Sequence, residues 1–186
     1  MKFFVFATAM VLALSIFGTV GYAQDKKDLW AEAQTVTLNG TDSKEVGTAK
    51  LLQIPNGVLV RLTLTKAAPG THAFHVHAVG KCEGPEFTTA GGHFNPTSKK
   101  HGLMSKEGSH AGDLPNVIVP DSGTLTIETV IPHVTLKAGD HTLADADGSA
   151  LVLHAGADDY TTDPTGNAGG RMACGIVAPP QAAAAK

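Results

Sequence analysis

The sequence predicts an all-β protein, a sandwich or flattened barrel of about eight antiparallel strands. Apolar and polar residues alternate with a period of two in several segments, and no segment shows a convincing helical period. Turn sequences such as Asn39-Gly40 and Asp147-Gly148 separate these segments. Glycine is abundant, with 21 residues, whereas aromatic residues make up only 5% of the chain. This composition argues against a helical bundle and favours short strands joined by turns.

Eight segments are candidate strands. In 57–65 the apolar side chains from Val58 to Leu64 occupy every second position, which places them on one face. Segment 124–129 alternates in the same way, so both are expected to be half-buried strands. The other candidates are 33–39, 45–54, 71–79, 116–119, 149–155 and 171–178. We find no repeat and no second domain.

The first 23 residues predict a secretory signal peptide. Lys2 precedes a largely apolar run from Phe3 to Phe17, and Gly21-Tyr22-Ala23 has small residues at the two positions that signal peptidase reads. The run is short for a membrane span. Without Lys2, the 13 remaining basic side chains are outnumbered by 17 acidic ones. This balance gives no reason to expect nucleic acid or an acidic membrane as a partner.

Two long segments lack apolar periodicity. Residues 80–115 form a loop of about 35 residues rich in Gly and Pro, and 156–170 form a second, shorter one. A loop as long as the first is expected to be functional, disordered or held by something else. The last residues, 179–186, are a low-complexity tail. The predicted domain therefore spans 24–178.

The nine histidines, all of them after the predicted leader, are more than folding requires. His75 and His77 alternate in candidate strand 71–79, so their imidazoles point to one face about 7 Å apart and can share a metal. Further candidate ligands lie in the first loop and at the end of strand 149–155: His93, His101, His110, Asp113 and His154. A carboxylate beside imidazoles is ordinary zinc chemistry. The sequence therefore predicts a metal centre that also holds the long loop.

The only two cysteines are Cys82 and Cys174. An even number of cysteines in an exported chain predicts a disulfide, because the exported compartment is oxidising. Two unrelated buried thiols are the alternative. A bridge between these residues would tie the first loop to the strand that follows the second.

Six motifs, in this order, resemble those of the copper/zinc superoxide dismutases. They are Phe74-His75-Val76-His77, Gly91-Gly92-His93-Phe94-Asn95-Pro96, Lys100-His101-Gly102, His110-Ala111-Gly112-Asp113-Leu114, Val152-Leu153-His154 and Gly166-Asn167-Ala168-Gly169-Gly170-Arg171-Met172-Ala173-Cys174-Gly175. The resemblance covers roughly residues 33–178 and implies an eight-stranded antiparallel Greek-key sandwich with two functional loops. Together, the leader and the short second loop resemble the bacterial exported branch, which implies a periplasmic location.

The resemblance also implies a copper ion and a zinc ion joined by one imidazolate. Copper would be bound by His75, His77, His93 and His154, and zinc by His93, His101, His110 and Asp113. Copper would cycle between two oxidation states while superoxide is converted to dioxygen and hydrogen peroxide, with His93 supplying a proton. Asp158 would hydrogen-bond one histidine of each metal, and Arg171 would guide the superoxide anion.

Other interpretations stay open at this point. A metal-buffering or copper-delivery protein would also be exported and rich in histidine, and a sandwich that uses zinc only as a staple would need only the zinc ligands. No Lys or Arg occurs between Thr142 and Gly170, so any anion steering must come from Arg171, the metals or Lys99, Lys100 and Lys106. The sequence is compatible with a monomer or a homodimer. It predicts no membrane association unless the leader is retained.

Overall fold

The computed structural model describes residues 28–181 and confirms the all-β fold class. It has nine strands and one short 3-10 helix, Thr88–Ala90, and no α-helix within 28–181. The strands are β1 Gln34–Gly40, β2 Glu45–Ile54, β3 Gly57–Leu64, β4 Gly70–His72, β5 Phe74–His77, β6 Val117–Val119, β7 Leu125–Pro132, β8 Ser149–His154 and β9 Arg171–Ala178. The predicted signal peptide and the end of the predicted tail, 182–186, lie outside the described residues.

Seven strands form one curled antiparallel sheet in the order β5-β8-β9-β1-β2-β3-β7, and β4 pairs with β6 in a separate two-stranded sheet. The period-two pattern determines which face is buried: Val58, Val60, Leu62 and Leu64 of β3 are all 0% exposed. Side chains from β1, β2, β5 and β8 join them in one main core. No helix within 28–181 is long and apolar enough to cross a membrane.

The segment predicted as one strand, 71–79, is divided at Ala73. Residues before Ala73 pair with β6, whereas those after it pair with β8. Ala73 itself lies at the crossing, where its N–H donates to the carbonyl of Gly156 and its carbonyl accepts from His154. The count of nine strands instead of eight follows from this change of partner.

Backbone hydrogen bonds attach the first loop to β5. The N–H of Phe94 donates to the carbonyl of Val76 at 2.8 Å, and the N–H of Val76 donates to the carbonyl of Gly112 at 2.9 Å. Gly112 is required here because a Cβ at this position would overlap the Val76 carbonyl. Two parts of the loop are thus placed directly beside the strand that carries His75 and His77.

The predicted disulfide between Cys82 and Cys174 is present, with Cα atoms 5.6 Å apart and a sequence separation of 92. The alternative of two unrelated thiols is therefore wrong. The two cysteines pack in a small apolar cluster, separate from the main core, with Phe87, Ala90, Ala150 and Val152. The bridge ties the first loop to β9.

Residues 24–32, between the predicted signal peptide and the first candidate strand, belong to none of the six motifs. Trp30 is only 5% exposed, and the guanidinium of Arg61 on β3 lies 4.2 Å from the centroid of its ring. Arg61 also pairs with Glu128 on β7 at 2.6 Å. The segment before β1 therefore packs through Trp30 against Arg61 on the outside of the sheet.

Candidate metal centre

The structure brings the seven predicted metal ligands together in two adjacent groups. In each group the four ligand atoms lie within 4.8 Å of one another, and all seven side chains are buried. The first group contains His75, His77, His93 and His154, and the second contains His93, His101, His110 and Asp113. Because His93 belongs to both, the two groups are joined through one imidazole ring.

Strands position most of the first group. His75 and His77 lie on β5, and His154 ends the neighbouring strand β8. The Nε2 atoms of His77 and His154 approach to 3.3 Å, a short distance for two ring nitrogens and one that suits two ligands of a single ion. His93, in the first loop, joins them because its backbone pairs with that of His77 in an isolated antiparallel β-bridge.

The second group converges on one oxygen of Asp113. Oδ1 lies 2.9 Å from Nδ1 of His93, 3.1 Å from Nδ1 of His101 and 3.2 Å from Nδ1 of His110. The other oxygen, Oδ2, accepts hydrogen bonds from the backbone N–H groups of Gly102 and His110 at 2.8 and 3.0 Å. The loop backbone therefore fixes this carboxylate, and three imidazoles face it.

Within residues 28–181, two buried ring nitrogens have no hydrogen-bond partner: Nδ1 of His75 and Nε2 of His93. A buried polar atom without a partner is costly, so an orphaned nitrogen calls for an explanation such as a bound ion. Both residues belong to the first group, and the remaining ring nitrogens of both face carboxylates. Four imidazoles suit copper, and three imidazoles with a carboxylate suit zinc. The residues present therefore fit both metals.

The electrostatics favour neutral imidazoles, the form that binds metals. Burial lowers the pKa of His93 to about 4 and that of His154 to about 3. The pKa of His77 is also lowered well below its usual value, first by burial and then by the neighbouring His93. Burial opposes ionisation of Asp113, but hydrogen bonds from His110 and His93 outweigh it, so the pKa of this carboxyl lies below its ordinary value. The second group thus provides an anionic ligand.

Asp158 connects the two groups from the second loop. Its carboxylate accepts from Nε2 of His75 at 2.8 Å and from Nε2 of His101 at 3.0 Å. Burial raises the pKa of Asp158, but the hydrogen bonds from His75 and His101 outweigh it and lower the pKa. A Cβ at Gly166 would overlap both Asp158 and His101, so glycine is required there for this contact. The arrangement orients one ring of each group.

Arg171, the first residue of β9, lies beside the first group. Its guanidinium donates to the carbonyl of Phe87 at 2.5 Å and to that of Gly91 at 2.6 Å. The Gly91 carbonyl also lies 2.9 Å from Nδ1 of His77, so one backbone oxygen contacts both residues. Among the other candidate cations, Lys100 pairs with Asp163 at 3.2 Å.

Sequence reasoning missed the groups that hold these side chains in place. Asn116 donates from its amide to the Asp158 carbonyl and accepts from the Asp158 N–H at 2.9 and 2.8 Å. Its position directly after Pro115, at the end of the first loop, is the only sequence signal for it. The carbonyls of Phe87 and Gly91 have no sequence signal, because the position of a backbone group is not read from the identity of a side chain.

A curled antiparallel sheet with two adjacent ligand groups that share one imidazole defines a binuclear metalloprotein. Residues 45–177 match the family described as copper/zinc superoxide dismutase (SODC). The chain belongs to this family.

Curated relatives and solved structures agree with this membership. Superoxide dismutase [Cu-Zn] 1 from Aquifex aeolicus is 46% identical over 153 residues, which is 81% of this chain and 89% of the relative. The enzyme from Caulobacter vibrioides is 40% identical over 77% of this chain and 84% of the relative. The crystal structure of a double mutant of a superoxide-dismutase-like protein from Bacillus subtilis matches with a TM-score of 0.75 and 38% identity, covering 77% of this chain and 96% of that one. Cu/Zn superoxide dismutase from Brucella abortus matches with a TM-score of 0.64 and 30% identity over 78% and 99% of the two chains.

The resemblance stated from the six motifs is therefore confirmed. The chain is a copper- and zinc-dependent enzyme that converts superoxide to dioxygen and hydrogen peroxide. One relative, from Bacillus subtilis, carries the name superoxide dismutase-like protein, so the roles of individual residues depend on the ligand set of this chain.

Proposed function

We propose that His75, His77, His93 and His154 hold the copper of this superoxide dismutase, and that His93, His101, His110 and Asp113 hold its zinc. The observation that carries this assignment is the division of the His93 ring. Its Nδ1 faces Asp113 in the second group, while its buried Nε2 has no partner and belongs to the first. Copper supplies the reversible one-electron chemistry of dismutation, and zinc supplies a fixed positive charge without redox chemistry.

His93 is also the proposed proton donor. Two superoxide anions and two protons give one dioxygen and one hydrogen peroxide, so protons must reach the site in each cycle. The Nε2 atom of His93 is the ring nitrogen that can hold a proton when it is free of metal, since Nδ1 is engaged in the second group. One proton comes from this nitrogen and the other from solvent.

Arg171 is the proposed guide for the substrate. Superoxide is a small monoanion, and the mature chain, with 13 basic and 17 acidic side chains, repels it overall. A cation held beside the copper-side group by two carbonyls reverses the potential locally. Lys99 and Lys106 in the first loop are the remaining candidates for steering, because Lys100 pairs with Asp163.

Asp158 is the proposed link between the metals. By accepting from His75 and His101 it fixes which ring nitrogen of each residue is available to a metal, and it orients both rings. Both contacts are buried, with 0% exposure of the side chains on both sides. Water therefore does not compete for these hydrogen bonds.

We further propose that the enzyme is exported to the periplasm. Residues 1–23 act as a cleaved signal peptide, 24–178 form the enzyme domain and 179–186 are a tail. The disulfide between Cys82 and Cys174 supports this location, because such bridges persist in oxidising compartments. The protein works there as a monomer or a homodimer, without membrane attachment once the leader is removed.

Superoxide consumption by purified residues 24–186, loaded with copper and zinc, tests the assignment. We expect rapid consumption in the parent and a near-complete loss in His77→Ala, which removes a copper ligand but keeps the zinc group. The matched control is His133→Ala, an exposed histidine outside both groups, which should behave like the parent. Metal-loaded protein that binds both ions without superoxide-dependent turnover would instead favour a metal-buffering protein.

A further inference from the structure

A short 3-10 helix holds the guanidinium of Arg171. Phe87 precedes this helix, Thr88–Ala90, and Gly91 follows it. The carbonyls of these two flanking residues are the ones that accept from Arg171. The direction of the guanidinium therefore depends on how the two ends of the helix are held.

Phe87 has an unusual backbone conformation for a bulky residue. Its φ of 53° lies in the left-handed region, which is unfavourable for a residue with a Cβ. Such a conformation persists only when the surroundings enforce it, and such residues cluster at functional sites. At Gly91, where φ is +73°, glycine avoids this cost; at Phe87 something else must supply the constraint.

The constraint on Phe87 is the burial of its ring. The residue is 3% exposed and lies in the small cluster with Cys82, Cys174 and Val152, outside the main core. Its N–H donates to the carbonyl of Glu83, and its carbonyl accepts from both Ala90 and Arg171. The ring is thus packed against the disulfide and β8, while the carbonyl of the same residue faces the guanidinium.

We propose that Phe87 is a positioning residue for Arg171. Its ring, packed between the disulfide and β8, holds the backbone in the left-handed conformation that directs the Phe87 carbonyl at the guanidinium. This proposal rests on the role of Arg171 as the anion guide.

The affinity of the copper- and zinc-loaded enzyme for azide, measured by copper absorption, tests the proposal. Azide is a small monoanion like superoxide, so Arg171→Ala should weaken its binding by about ten-fold. Phe87→Ala should weaken it several-fold, and Phe87→Leu, which keeps much of the ring's volume, should weaken it less. In the Arg171→Ala background, Phe87→Ala should have no further effect, because two substitutions that act on the same interaction do not have additive effects.

Controls separate positioning from general destabilisation. Ile131→Ala removes a fully buried side chain of the main core on β7; it should lower stability and leave azide affinity unchanged. The salt dependence of the superoxide rate should shrink in Phe87→Ala, but by less than in Arg171→Ala, because the guanidinium charge is retained. If Phe87→Ala does not fold, the same comparison is made with Phe87→Leu, alone and in the Arg171→Ala background.

Three results would overturn the proposal. They are parent-like azide affinity in the folded Phe87 variants, equal weakening with and without Arg171, and weakening of similar size in Ile131→Ala. Parent-like azide affinity in Arg171→Ala would show that Arg171 does not guide anions. The Phe87 proposal, which depends on that role, would then also be wrong.

Discussion

The two ligand groups of the metal centre are held in different ways. Three of the four residues proposed to hold copper lie on strands β5 and β8, whose backbones pair from Phe74 to His77. The residues proposed to hold zinc all lie in the loop between β5 and β6, which has little regular structure. We therefore expect the sheet to organise the first group without a metal, and the loop that carries the second group to depend more on its metal. One imidazole, His93, belongs to both groups.

The largest expected effect comes from removing one ligand on each side. His101→Ala should abolish tight zinc binding and increase hydrogen exchange of amides in 93–113 by about a hundred-fold or more, because loop order is coupled to the metal. His77→Ala should lose copper while those amides stay protected. Metal analysis and hydrogen exchange by mass spectrometry check both variants. Equal exchange in the two variants would show that both sides are organised alike.

The disulfide is the second restraint on the loop, and its loss should have the next largest effect. The bridge spans 92 residues, for which the chain-entropy model gives up to about 4.6 kcal/mol. Cys82→Ser with Cys174→Ser should lower the Tm by about 10 °C and accelerate zinc loss to a chelator more than copper loss. Thermal unfolding and chelator kinetics measure these changes. A parent-like Tm and a parent-like zinc release rate would show that the disulfide does not restrain the loop.

The comparison also explains what the sequence could predict. Alternation in β3 and β5 is local, so the buried face of Val58 to Leu64 and the common face of His75 and His77 followed from it. The division of 71–79 at Ala73 did not, because each half has a different partner strand, and pairing partners are not encoded locally. The assignment of His93 to both metals was implied by family resemblance. The structure places its ring in both ligand groups, with Nδ1 facing Asp113 and Nε2 buried without a hydrogen-bond partner.

Substitutions of Arg171, which lies on β9 and hydrogen-bonds to carbonyls of the first loop, should have a moderate effect on the rate of superoxide dismutation. Arg171→Glu should lower the second-order rate most, Arg171→Ala by about ten-fold and Arg171→Lys least, with unchanged metal content. The rate should fall with rising ionic strength in the parent, and this slope should shrink or reverse in the Glu variant. Stopped-flow measurements across salt concentrations check the series. Parent-like rates and slopes in all three would assign steering to Lys99 and Lys106.

A smaller effect concerns acid stability of the metal-free protein. Burial holds the pKa of His93 at about 4 and that of His154 at about 3, whereas both are near 6.5 in the unfolded chain. The unfolded state therefore binds more protons below that value, so stability is fully present above about pH 6.5 and is lost as the pH falls towards 3. Urea unfolding from pH 7 to 4 should show this slope, and His154→Gln should reduce it by about one proton. An unchanged slope would contradict the assigned burial effect.

The most direct test of the shared imidazole is a metal titration of the parent beside three single variants. The parent should bind one copper and one zinc, His77→Ala should weaken copper alone, and His101→Ala should lose zinc while keeping at least some copper. His93→Ala should weaken both ions by at least ten-fold, because its ring contributes a nitrogen to each group. Loss of only one ion in His93→Ala, or full activity of the parent with a single metal, would contradict the account.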